Sequence, residues 1–153
     1  MARFEPTPVD DPTAATLLDE YFTSRELGFT THPGGYRIVH PDPALFTPPA
    51  GVFLIARADD DAPVGCGGIR MLDADRAEVK HLWVRPEARG TGLGRALLTE
   101  LEDRARAFGA RRVVLDTNES LEAAQRMYRT GGYADIPPYN DNPNATHWFA
   151  KDL

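Results

Sequence analysis

Cysteine is almost missing from this chain: Cys66 stands alone among 153 residues. One thiol cannot close an internal disulfide or build a cysteine-based metal cluster. The sequence also lacks any apolar run near the roughly 18 residues that a membrane-spanning helix needs. Residues Met1–Glu5 carry no apolar signal-peptide core, so the expected location is the cytoplasm. Positive charge is in deficit, with 17 Lys and Arg against 23 Asp and Glu, a net charge of −6. Nucleic acid is therefore not expected as the main partner, since neutralising phosphates takes a basic face. The four histidines, His32, His40, His81 and His147, show no metal-ligand spacing, and no metal is expected. With 42% hydrophobic and 26% charged residues, the composition is that of a soluble globular protein. Its length suits one domain spanning 1–153, able to bury about two-thirds of its unfolded surface.

The chain then reads as alternating elements. Arg3–Pro6 suits a short edge strand. Asp10-Asp11-Pro12 marks a helix start, Leu17, Leu18, Tyr21, Phe22 and Leu27 form its apolar stripe, and Gly28 ends it. Residues 29–51 are rich in Pro and Gly, and only Tyr36–Val39 suits regular structure. So long a loop is often functional, and its aromatics Phe29, Tyr36 and Phe46 suit a lid over a substrate as well as a plain surface excursion. Strands follow at 52–58 and 64–72, joined by Asp59-Asp60-Asp61-Ala62-Pro63. Gly65, Gly67 and Gly68 thin the second of them, which implies a close approach by backbone or ligand. Cys66, between them, reads as a small buried residue. A strand over Arg76–Val84, a helix over 92–108, a strand over Arg112–Thr117, a helix over 121–130 and strands at 133–136 and 147–151 complete the order. This pattern gives an α/β (α+β) domain with a mixed, mostly antiparallel sheet flanked by helices.

The most informative stretch is AEVKHLWVRPEARGTGLGRALL, residues 77–98. An apolar strand runs into a glycine-rich turn, and from Leu93 onward the apolar spacing is helical. The first amides of a helix lack partners within it, and its dipole favours negative charge there, so such a turn suits phosphate. A P-loop would need Lys and Ser or Thr after the last glycine, where Arg95-Ala96 stand; a dinucleotide fingerprint would need its third glycine one residue later.

The pattern Arg89-x-x-Gly92-x-Gly94 after a strand resembles the acetyl-CoA loop of the GNAT superfamily of N-acetyltransferases. The likeness covers 52–153 and is densest over 78–133, where Ala124-x-x-Met127-Tyr128-x-x-x-Gly132-Tyr133 is similar to that family's A-x-x-L-Y-x-x-x-G-[FY] signature. The resemblance implies a splayed central strand pair, Arg76–Val84 beside Arg112–Thr117, with acetyl-CoA in the cleft. Its pyrophosphate would lie on the amides of Arg89, Gly90, Thr91, Gly92, Leu93, Gly94 and Arg95. The pantetheine would pair with exposed backbone at Leu82, Trp83 and Val84, read as an added strand edge. Asn118 would offer a polar contact to the cofactor, although it reads equally as a turn or cap residue. Tyr128 would protonate the departing thiolate, a workable task for a phenol with a pKa of about 10.

For the acceptor, the resemblance places a base at Glu78. An alkyl amine is less than ~0.1% neutral at pH 7, so a carboxylate that takes its proton matters. Glu78 reads equally as a partner of Lys80. By strand alternation Glu78, Lys80, Leu82 and Val84 share a face, and His81 joins them only if a bulge intervenes. Tyr36, Tyr139, Asn140 and Asp141, with Asn142 and Trp148, suit an acceptor pocket, though Asn and Asp between prolines also suit turns. The expected activity is acetyl transfer from acetyl-CoA to a primary amine of a small molecule. A protein lysine or N-terminus is the alternative acceptor, and a CoA-binding module without chemistry is the alternative class. Homodimers are common in that superfamily, but no residue here identifies an interface.

Overall fold

The structure is a computed structural model, and residues 2–29 and 35–153 are described. His32, Pro33 and Gly34 of the irregular stretch lie outside them. The elements are β1 (Arg3–Pro6), α1 (Pro12–Gly28), β2 (Gly51–Arg57), β3 (Pro63–Met71), β4 (Arg76–Val84), α2 (Leu93–Ala107), β5 (Arg112–Thr117), α3 (Glu122–Thr130), β6 (Ala134–Asp135) and β7 (His147–Asp152). Short 3-10 turns occupy Pro43–Phe46 and Pro86–Ala88. No helix among the described residues is long and apolar enough to cross a membrane.

One sheet holds all seven strands in the order β1-β2-β3-β4-β5-β7-β6, and every pairing is antiparallel except β4 with β5. Helices cover both faces. On one, Leu97 and Leu101 of α2 and Tyr128 of α3 pack on Leu54, Ile69, Val79, Val113 and Phe149. On the other, Leu17, Leu18 and Phe22 of α1 pack on Phe53, Ile55 and Cys66. The start of α1 is fixed by Asp11, whose carboxylate accepts from Thr13 N at 2.9 Å and Ala14 N at 3.3 Å.

The glycines of β3 serve close packing, by backbone at Gly65, where a Cβ would stand 2.7 Å from Trp83 O, and by side chains at Gly67 and Gly68. A Cβ on Gly67 would stand 2.9 Å from Leu101 Cδ1, and one on Gly68 would stand 2.6 Å from the Phe46 ring. The expected regular segment at Tyr36–Val39 is not found. Arg37 there finds its backbone partners in a side chain instead: its N–H donates to Asn144 Oδ1 at 2.9 Å, and its carbonyl accepts from Asn144 Nδ2 at 2.7 Å. That exchange satisfies the peptide group without a neighbouring strand.

Candidate active site

The site begins with an irregularity in β4. Gly68 pairs with Lys80, but Cys66 pairs with Trp83, so β4 holds one extra residue between them. His81 sits in the bulge at φ +56°. The extra residue reverses which way later side chains point. Glu78 and Lys80 therefore face α1, whereas Leu82 packs with Ala77 and Val79 in the cluster under α2, and Val84 lies beside Gly65 and Gly94. The single face expected for Glu78, Lys80, Leu82 and Val84 is thus corrected. His81 joins the α1 side, edge-on to Tyr21 and Phe22 with ring centroids at 5.6 Å.

Beside the bulge, β4 and β5 separate. Only Arg76, Ala77 and Glu78 register with Arg112, Val113 and Val114; beyond them a cavity of about 970 Å³ opens. Leu82, Trp83 and Val84 form one wall, Leu115, Asp116 and Thr117 the other. The central splay expected from the sequence is present.

At one end the cavity reaches the glycine turn. Gly90 and Gly92 take φ of +76° and +85°, a region that costs other residues strain. The first backbone bond of α2 is Ala96 N to Gly92 O at 3.0 Å. The amides of Leu93, Gly94 and Arg95 come before it, so they have no partner within the helix. Arg89, Gly90, Gly92, Leu93, Gly94 and Arg95 all line the cavity. Thr91 does not; its hydroxyl donates to Ala88 O at 2.7 Å. The Arg89 guanidinium lies 4.8 Å from the Trp83 ring centre while its Nε donates to Val84 O at 2.9 Å. These donors and the helix dipole make this end fit for a diphosphate.

Tyr128 lies further in, 7% exposed, among Tyr133 and Phe149. Burial pushes its pKa well up, the nearby Asp116 adds to the rise, and the Arg25 charge opposes it. A phenol so placed stays protonated. Cys66 is fully buried, and desolvation pushes its thiol far up, so it is no nucleophile.

The remaining expected residues are placed differently. Glu78 is 1% exposed and stands behind the cavity wall, not on it. Its carboxylate accepts from Arg70 Nε at 2.9 Å and from the Tyr139 hydroxyl at 2.6 Å. Tyr139, Asn140 and Asp141 are also off the wall; Asn140 donates to Asp116 at 2.7 Å and accepts from Trp148 Nε1 at 2.9 Å, and Asp141 is exposed. Asn118 is buried and off the wall, donating to Asn144 O at 2.9 Å and accepting from Ser120 N at 2.9 Å. Tyr36 and Phe46 of the long loop do reach the cavity. So do Arg25 and Asp116, which sequence reasoning passed over. Arg25 had a signal: it continues the α1 stripe four residues after Tyr21, a charge at an apolar position.

Comparison with known proteins bears on the fold and the family. The model described as "Acetyltransferase (GNAT) family" matches residues 14–133. An uncharacterized N-acetyltransferase of Schizosaccharomyces pombe is 35% identical over 99 residues, 64% of this chain and 61% of that protein. The chain spans less than two-thirds of the length of the curated relatives it matches first. A solved structure from Klebsiella pneumoniae has a TM-score of 0.82 at 24% identity, covering 100% of this chain and 98% of the other. A GNAT family acetyltransferase from Elizabethkingia anophelis, solved with acetyl-CoA bound, has a TM-score of 0.67 at 16% identity, covering 99% and 98%.

Proposed function

The chain belongs to the GNAT family of acetyltransferases, and from that premise we propose that it moves an acetyl group from acetyl-CoA to a primary amine of a small molecule. The observation that carries this reading is the continuity of one cavity from the free amides of α2 to the Tyr128 phenol. The acetyl-CoA held by the Elizabethkingia anophelis structure supports the same choice of donor.

In the transfer a C–N bond to the amine forms, the C–S bond of the thioester breaks, and the thiolate takes a proton. The chain's residues have separate tasks. The amides of Leu93, Gly94 and Arg95 hold the diphosphate, and backbone at Leu82–Val84 aligns the pantetheine. Tyr128 gives its proton to the leaving thiolate, and burial keeps it protonated until then. The ammonium loses two protons on becoming an amide: one leaves the nitrogen after attack and restores Tyr128, directly or through water, and the other must leave before attack. We assign that proton to Asp116, directly or through water, because Asp116 is a residue of the cavity wall, its carboxylate oriented by Asn140 and Asn142 with Lys80 nearby, while Glu78 stands behind the wall, held by Arg70 and Tyr139. Glu78 then positions these neighbours.

Calorimetry with coenzyme A, followed by thiol release over an amine panel, tests the reading. The expected result is binding heat with CoA and turnover with at least one small amine. Absence of heat on folded protein overturns it. Binding without turnover on any amine supports a CoA-binding module instead.

A further inference from the structure

Two buried side-chain polar atoms have no hydrogen-bond partner among the described residues, Arg25 Nη1 and His81 Nδ1. They come from different elements, α1 and the β4 bulge, yet both residues line the same cavity. Tyr21 of α1 lines it too, and the rings of Tyr21 and Phe22 each stand 5.6 Å from the imidazole. Buried polar atoms are almost always satisfied, so two orphans on one wall mark the place where a ligand supplies the partner.

The charges around them identify that partner. Arg70 is paired with Glu78 at 2.9 Å, and Lys80 lies 3.7 Å from Asp116 and 3.9 Å from Glu78. Those cations are matched inside the fold. Arg25 is 7% exposed, and its guanidinium rests on the Tyr36 ring, 5.0 Å from the centre. A ring face offers far less to a buried guanidinium than a carboxylate would. His81 is neutral there, because burial above all, with the Lys80 and Arg70 charges adding to it, holds its pKa near 3. It adds a hydrogen-bonding nitrogen without adding charge. Arg25 and Asp116 line the same cavity as the phenols of Tyr36 and Tyr128, and they act on both phenols with opposite sign.

Resting on the proposed acetyl transfer, we infer that Arg25 and His81 form an anion subsite in the acceptor end of the cavity, and that the acceptor is an amine that also carries a carboxylate. The carboxylate meets the Arg25 fork, and the amine faces Asp116 and Tyr128. Nη1 is shut off from solvent, so the ligand reaches it by displacing Tyr36, whose segment holds no regular structure. A polyamine is excluded, because its second ammonium would meet the Arg25 charge where solvent screens little.

The test compares amino acids with their own carboxamides and with diamines, by thiol release at saturating acetyl-CoA. The wild type is expected to favour the acid over its carboxamide by about tenfold or more in kcat/KM, the worth of one charge-assisted hydrogen bond. In Arg25→Met the acid-to-carboxamide ratio falls towards one, while CoA binding by calorimetry is retained. The melting temperature of Arg25→Met holds or rises, since a buried charge with no ion-pair partner among the described residues has been removed. Arg25→Lys keeps part of the preference. The inference is overturned if diamines or carboxamides are preferred, or if Arg25→Met lowers the melting temperature and leaves the ratio unchanged. Either result leaves acetyl transfer standing; only the absence of CoA binding removes the reading beneath.

Discussion

Two residues of the cavity differ in what burial does to them. Tyr128 keeps its proton because burial disfavours the phenolate. Tyr128→Phe retains the ring between Tyr133 and Phe149, so folding is unaffected, while kcat falls about 10²-fold and the KM for acetyl-CoA holds. Because the shift is upward, kcat shows no alkaline loss from this phenol below about pH 10. Steady-state pH profiles decide the shift: a downturn under pH 9 in wild type that vanishes in Tyr128→Phe would show the phenol titrating below the range that burial sets. An unchanged kcat in Tyr128→Phe rejects its role as the acid. His81 is shifted the other way, to about 3 from an ordinary 6.5. Between those values the unfolded chain binds a proton that the folded chain refuses. Stability therefore rises with pH across that window and is lost as pH falls, by up to about 1.4 kcal/mol per unit. His81→Asn, suited to the φ of +56°, should flatten the dependence of melting temperature on pH between about 4 and 6.5. An unchanged slope would mean that other groups carry the acid sensitivity.

At the scale of elements, the glycine turn and the bulge place everything else. Gly92 caps α2 at φ +85°, with open space where a Cβ would stand. Gly92→Ala therefore meets no clash, and its cost is backbone strain of about 1–2 kcal/mol. Relieving that strain moves the amides of Leu93 and Gly94, so CoA affinity should fall about tenfold, read by calorimetry, with a fall of only a few degrees in melting temperature. A large loss of stability with unchanged affinity would make the turn merely structural. This turn was legible in the sequence because it is local: strand, glycines and helix follow one another within 77–98. The Leu93–Ala107 helix was equally plain, with Leu97, Leu98, Leu101 and Ala105 buried at helical spacing. The bulge was not legible, since it exists only in the pairing of β4 with β3, and alternation counted through it put Leu82 and Val84 beside Glu78. Glu78 reads as a base from the family resemblance, which speaks for its position along the strand and not for its partners. Its hold by Arg70 and Tyr139 joins residues 8 and 61 positions away, which no local pattern records. Arg25 was visible as a charge in an apolar stripe, but that its Nη1 finds no hydrogen-bond partner among the described residues is a property of the packed fold.

At the scale of the whole molecule, the body and its cavity carry opposite charge. The chain bears −6, yet among the described residues six Arg or Lys and three Asp or Glu line the cavity. Coenzyme A is a polyanion, so it meets a repelling body with an attracting cleft. Range decides which wins. The molecule has a radius of gyration of about 15 Å. At 0.01 M salt the screening length is about 30 Å, and the incoming ligand feels the whole negative body; at 0.15 M it is about 8 Å, and the ligand feels only the nearby wall. Added salt therefore removes the long-range repulsion first. The short-range attraction of Arg89, Arg95 and the α2 amides weakens only at higher concentrations. Association of CoA, followed by stopped flow, should quicken as salt rises from about 0.01 M, pass through a maximum, and then slow. Arg89→Gln lowers the whole curve and moves its maximum to higher salt, because less attraction remains to be screened. A rate that falls steeply from the lowest salt onward would show that the body's charge does not govern the approach, and that the cleft steers CoA alone.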